Sequence, residues 1–283
     1  MKKIISLLLV ALAVSSLSGC TSINEVDEDK VKDVTNKLTE VLVNTVGNEK
    51  AERLESHSIN AAGLSMLKVT NSVGNIDITT SDSDEATIDL NITAKTGSTE
   101  KSEQLVSDFI YSIETTSDSI DINTSFKEIK LDDTNISTDL KIAVPNNINN
   151  IVISSNVGDI FVEKINGEFD ISNNVGNITI KNSKASYNII TNVGEIVVSE
   201  ASADKNSEFT TNTGDIDVVF NDITGAESIK AVTDVGDISL KVPKDSSYEA
   251  EISEFMGNER TEKNKDGLTK IKLKTGVGDI DFN

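Results

Sequence analysis

Few side chains in this 283-residue chain could do covalent or metal chemistry. There is one cysteine, Cys20, one histidine, His57, and two arginines, Arg53 and Arg260. The only cysteine lies in the leader and the only histidine in a polar stretch. Neither a Cys–His nor a Ser–His nucleophile pair is therefore supported, and His57 is expected to be a solvated surface residue. Metal sites built from His and Cys are excluded by count. The repeated glycines fall singly, with no helix after them, so no loop cradles a phosphate. Carboxylates are plentiful, with Asp and Glu totalling 47, and on numbers alone a glycosidase-type acid pair stays open. The absence of Trp and the presence of only three Tyr argue against a sugar cleft lined with aromatic rings. No catalytic, cofactor-binding or metal-binding residue is assigned, and a non-enzymatic protein without a cofactor is expected.

One acidic series does recur in a pattern. Asp159, Glu195, Asp215, Asp237 and Asp279 each follow a glycine, with Asn177 interposed. Calcium takes about six to eight oxygens converging on one point, and a single file of acids facing solvent does not converge. A solvated acidic wall is expected, with neighbours at ~5 Å repelling by roughly 0.8 kcal/mol in water. The cations show one concentration. Asn258 to Gly267 contains Arg260, Lys263 and Lys265 and offers no core candidate. This stretch is the candidate interaction loop for an acidic partner. The blander alternative is an exposed connection, whose replacement should leave stability within about 0.5 kcal/mol.

The elements that must position these groups come from a repeat. Asn156-Val157-Gly158-Asp159-Ile160-Phe161-Val162 returns around Gly176, Gly194, Gly214, Gly236 and Gly278. The glycines step by 18, 18, 20 and 22 residues and then by 42, with a worn copy at the midpoint, Gly257. Self-similarity at this period marks a solenoid, whose coils cannot bury an apolar face alone. Two residues after the glycine stand Ile160, Ile178, Ile196, Ile216, Ile238 and Ile280. Four after it stand Val162, Ile180, Val198, Val218, Leu240 and Phe282. Five before it stand Ile153, Ile171, Ile189, Phe209, Ala231 and Leu273. Spacing by two puts each set on one strand face, and the polar residues between (Asp159, Thr179, Asp217, Ser239) imply a wet outer face. The glycine marks a corner that needs positive φ, with a hairpin turn as the local alternative. The Asn156, Asn174, Asn192 and Asn212 column could form a ladder of amides, or serve only as turn residues. Residues 149–283 are expected to form about seven coils.

Upstream the pattern changes. Lys2 and Lys3 precede an apolar run, Ile4 to Val14, too short to span a bilayer. The run leads into Leu17-Ser18-Gly19-Cys20, which resembles the bacterial lipobox. The resemblance implies a signal peptide over residues 1–20 and a diacylglyceryl group on Cys20, the new N-terminus. Two acyl chains anchor stably. The lone cysteine leaves no disulfide within the chain. Residues 21–60 carry a capping-box pattern, Ser22-x-x-Glu25, and Val31, Val34, Leu38 and Val41 at helical spacing, which predicts a helical tether or cap. Residues 61–148 form a less regular β-rich section. It holds one isolated copy of the motif at Gly74 and a short helix around Thr99 to Ile110.

A lipobox start, Val73-Gly-Asn-Ile-Asp-Ile78, a strand–helix–strand insert, a strand ending in Val144-Pro145 and tandem Gly-Asp-Ile coils together resemble the bacterial β-strand-repeat family called putative adhesins. The likeness covers roughly residues 60–283. It implies a mainly-β solenoid and an extracytoplasmic location, on the outer side of the cell membrane. Fold alone licenses no activity. Net charge −21 disfavours nucleic acid and anionic head groups as partners. Three functions are therefore weighed: a lipid-anchored adhesion scaffold for a protein or glycan partner, an envelope signalling or structural accessory, and a polysaccharide-active enzyme.

Overall fold

The structure is a computed structural model, and it describes residues 49–125, 135–254 and 258–283. The chain divides into two units, Met1–Gly47 and Asn48–Asn283, and every described residue belongs to the second. The helical reading of residues 21–48 and the lipid site at Cys20 lie outside the described residues.

A regular coil is two strands meeting at a glycine. β2 (Met66–Val73) turns at Gly74 into β3 (Ile76–Ser81), and β8 (Asn150–Val157) turns at Gly158 into β9 (Ile160–Glu163). β10 (Gly167–Val175) and β11 (Ile178–Lys181) form the next coil, followed by β12 (Lys184–Val193). The long strands β13 (Ile196–Thr213) and β14 (Ile216–Val235) pass through the far corner, so each serves two coils. β15 (Ile238–Lys241) completes the coil of Gly236, and β18 (Thr269–Val277) turns at Gly278 into β19 (Ile280–Phe282). Successive coils pair in parallel, with Ile153 opposite Ile171, Ile171 opposite Ile189 and Ile189 opposite Phe209. The pairing is between coils, so the corner is not a hairpin turn. The β-solenoid expectation holds.

The apolar columns fill the space between the two walls. Ile160, Ile178, Ile196, Ile216 and Ile238 are each at most 1% exposed, and they form one continuous core with the columns at Val162 and Ile153. Burying one such side chain is worth about 1.5–3 kcal/mol, and β-branched chains suit the pleat. Where the glycine steps lengthen, register shifts appear between Val198 and Asp204. The wider coils are filled by Tyr187, Phe209 and Phe220, with ring centroids 5.7–6.3 Å apart. The outer faces are mainly polar, but Phe161 and Val197 also stand there, half-buried at the positions that elsewhere hold Thr179 and Asp217. Lys181 lies 5.9 Å above the Phe161 ring.

Three sequence expectations are corrected. The first concerns coil order. β15 pairs directly with β19, and β14 with β18, so the coil of Gly278 stacks on that of Gly236 with no coil between them. The chain between them forms β16 (Tyr248–Glu254) and β17 (Asn258–Asn264), an antiparallel pair lying beyond β18. The 42-residue gap is a detour around the last coil, and equal spacing in sequence imitated an extra repeat. The seventh coil is instead that of Gly74. β2 pairs with β8 and β3 with β9, so the copy isolated in sequence is the first coil of the stack. The stack therefore runs across the expected boundary at residues 148/149.

The second correction concerns residues 49–60. They are no helix but β1 (Glu49–Asn60), antiparallel to β4 (Glu85–Thr96) through twelve pairs. β4 is in turn antiparallel to β7 (Asn135–Pro145), which is parallel to β3. Alternation along β1 outweighs the helical spacing that ends at Val41. Third, residues 258–264 are a strand and not a loop, since an edge strand needs no apolar residue to form a ladder. The expected helix is found as α1 (Thr99–Asp108), capped by Ser98, whose side chain accepts from the Lys101 N–H. Phe109, just past its end, is buried, while Ile110 is 85% exposed. β5 (Ser112–Thr115) and β6 (Ser119–Thr124) extend the first wall beyond β2.

Candidate functional site: the stacked corner and its two ends

The corner glycines Gly74, Gly158, Gly176, Gly194, Gly214, Gly236 and Gly278 form one file with positive φ. A Cβ on Gly194 would stand 2.0 Å from the Gly176 carbonyl oxygen, so both the φ of +151° and the closeness of the coils demand glycine. Each corner before the last passes a backbone bond onward, as in Gly176 N–H to Val193 O at 2.9 Å and Ile178 N–H to Glu195 O at 2.9 Å.

The acids after the glycines are exposed, as expected, but they are not merely solvated. Asp159 Oδ1 accepts the Asn177 N–H at 2.8 Å, Asp215 Oδ1 that of Asp237 at 2.8 Å, and Asp237 Oδ1 that of Asp279 at 2.8 Å. Asn75 and Asn177 do the same for Asp159 and Glu195, through their amide oxygens. Asn75, Asp159, Asn177, Asp215 and Asp237 each thereby satisfy a backbone donor of the next coil, a charge-assisted bond where the side chain is Asp. The expected repulsion is set against these bonds. The Asn column is a true amide ladder: Asn174 donates to Asn156 at 2.8 Å, Asn192 to Asn174 at 2.8 Å and Asn212 to Asn192 at 3.1 Å.

A third ladder escaped the sequence reading. Three residues before the glycine, buried Thr211, Thr233 and Thr275 donate to the glycine carbonyl of the preceding coil at 3.1, 3.0 and 2.8 Å. Asn173 does so through its amide. The signal was present, because strand alternation calls for an apolar residue there and each copy has a polar one.

The N-terminal end of the stack gathers the ionisable groups that the sequence left scattered. The inward side of β1 presents Arg53, Glu55 and His57 to Tyr111, which follows α1. Arg53 donates to the Ser107 and Phe109 carbonyls at 3.1 and 2.9 Å, satisfying the end of α1. Its Nε is 2.8 Å from a Glu55 oxygen. Tyr111 donates to Glu55, while His57 Nε2 stands 2.8 Å from the Tyr111 hydroxyl. Burial first, and then the bond to Glu55, pushes the Tyr111 hydroxyl up to about 12. His57 is thus half-buried and partnered, not a solvated residue.

At the other end, two of the three candidate cations, Arg260 and Lys265, are paired within the chain. Arg260 lies on β17, pairs with Glu254 at 2.6 Å and Glu262 at 3.2 Å, and donates to the Ile280 carbonyl at 3.2 Å. Its guanidinium stays protonated, held first by the bond to Glu254. Lys265 lies 3.6 Å from Asp245. Lys263 stands opposite Glu249 in the β16–β17 ladder. A shallow groove runs here between Glu251, Glu259, Lys272 and Lys274. Among the described residues, no three of His, Cys, Asp and Glu converge to hold a metal ion, and no helix is long and apolar enough to cross a membrane.

Comparison with known proteins gives the lineage. Several solved structures resemble the chain at low identity. A putative adhesin from Bacteroides fragilis NCTC 9343 is 18% identical, over 82% of this chain and 97% of that one, with a TM-score of 0.49. A putative cell adhesion protein from Clostridium sporogenes ATCC 15579 is 14% identical over 82% and 99%, with a TM-score of 0.39. A putative lipid binding protein from Parabacteroides distasonis ATCC 8503 is 14% identical over 81% and 96%, with a TM-score of 0.30. No curated protein matches. The family model described as Toastrack DUF4097 matches residues 128–283, more than half of the chain, and the chain belongs to that family.

Proposed function

We propose that this protein is a lipid-anchored scaffold on the extracytoplasmic face of the cell membrane, holding a protein or glycan partner without catalysing a reaction. The observation that carries this reading is how the polar side chains of the corner are spent. Its amides, its threonines and three of its acids, Asp159, Asp215 and Asp237, run in single file and bond neighbouring coils, so they build a rigid wall and do not converge on a substrate. The lipobox ending at Cys20 supports the anchor, and the adhesin names carried by the similar structures accord with an adhesive role.

The anchor and the adhesive role are tested separately. Cys20→Ala should release the protein from the membrane fraction or leave it unprocessed; unchanged membrane retention contradicts the anchor. Cells lacking the protein should attach less to their partner surface, and added Cys20→Ser protein should compete with wild-type cells. Equal attachment with and without the protein would instead favour an envelope accessory role.

A further inference from the structure

We infer that β1 is a latch that yields under load: tension arriving from the anchor strips it from β4 while the stack behind it stays closed. The inference rests on the anchored reading above, because it concerns the strand that such a tether enters. In sequence, the stretch after Cys20 leads directly into Glu49, the first residue of β1.

Four observations carry it. Among the described residues β1 is outermost in its wall and pairs with β4 alone, whereas β2, the next strand in the chain, is held between β6 and β8. The main core contains no β1 residue, and only Ile59 of β1 packs partly against it. The inward face of β1 is instead held by Arg53, Glu55 and His57, through the carbonyls at the end of α1 and Tyr111. Ala51 packs partly against the small cluster of Ile92, Ala94, Val106, Phe109 and Ile136, so stripping β1 uncovers the edge of that cluster while the main core stays filled. Finally, the chain just after β1 is clamped. Asn147 donates to the Ala61 and Leu64 carbonyls at 2.9 and 2.7 Å, Ala61 N–H bonds the Asp84 carbonyl at 3.2 Å, and both Ala61 and Leu64 are buried. Stripping that starts at Glu49 therefore meets a stop at Asn60. A pull along the stacking direction runs across the strand and loads the twelve pairs one after another.

The test pulls the full chain carrying Cys20→Ser between Ser22 and Asn283 in optical tweezers. The result expected is a first, reversible, low-force step of about 4 nm, the twelve residues of β1 at ~3.3–3.6 Å each, before the stack opens. Leu54 and Asn91 are register partners, so a Leu54→Cys, Asn91→Cys disulfide should shorten that step to the five residues before the crosslink, about 1.7 nm at ~3.3–3.6 Å each, and reduction should restore its full length. Tyr111→Phe should lower the force of the step without changing its length. A first step that opens the stack, or one that keeps its full length in the disulfide-bonded variant, overturns the latch. No lipid enters this measurement, so it stands or falls apart from the membrane retention of Cys20→Ala.

Discussion

At the scale of single residues, the corner is defined by groups that have no room to be anything else. Gly194→Ala must place a Cβ against the Gly176 carbonyl at a φ that L-residues rarely adopt, and neither neighbour is a flexible side chain. A loss of several kcal/mol in urea unfolding is expected, at the large end of single substitutions. The acidic file makes a finer prediction. Asn already occupies ladder positions 75 and 177, so Asp237→Asn should keep the bond to the Asp279 N–H and cost little. Asp237→Ala removes the acceptor and should cost about 0.5–1.5 kcal/mol. A purely solvated acid would give no such difference: both variants neutral, or both stabilising through relief of repulsion. The urea midpoints of the three proteins decide between these outcomes.

At the scale of elements, the edges explain why so regular a sheet can end. β19 has three residues and β5 has four, β1 turns charges inward, and β17 is almost wholly polar. These are the devices that keep exposed strands from pairing with other chains. β17 also carries Arg260, whose guanidinium closes the Ile280 carbonyl of the last coil. Replacing Asn258–Asp266 by a short Gly-Ser connection should therefore cost about 1–3 kcal/mol, through lost ladder and charge-assisted bonds, where an exposed connection would cost almost nothing. An unchanged melting curve would return this segment to a mere link.

The same elements show what could be read in advance. The coil, its apolar columns and the corner glycines were legible because each coil meets the same neighbours and so keeps the same residue types. The order of coils at the C-terminal end was not, because the Gly257 copy is spaced as a coil would be while the strand before it pairs on the far side of β18. Nor was the partner network of His57, since Arg53, Glu55 and Tyr111 meet through a long-range pairing that no local pattern encodes. The acidic file was visible, but its bonds to backbone donors depend on the distance between coils, which appears only once they stack.

At the scale of the whole molecule, the account depends on one continuous stack of seven coils. Its spatial order is Gly74, Gly158, Gly176, Gly194, Gly214, Gly236, Gly278; β6 and β7 add a parallel layer before the first of these, and antiparallel strands lie beyond that layer and, on one wall, beyond the last coil. The ladders, the capping role of β17 and the independence of the core from β1 all follow from that order. The point where it departs furthest from the sequence is the contact of the last two coils, whose strands are separated by the whole β16–β17 detour. Ser239 and Asp281 are register partners there, 42 residues apart in sequence, and both lie on the outer face away from the ladders. Parallel neighbours stand ~4.8 Å apart, within the Cα separation that a disulfide spans, and an intervening coil would double that distance beyond its reach. The decisive measurement is oxidative crosslinking of Ser239→Cys, Asp281→Cys in a Cys20→Ser background, followed by mass spectrometry of the linked peptides. The account predicts near-complete formation of an intramolecular disulfide without loss of the fold; a folded protein that leaves both thiols free would contradict it.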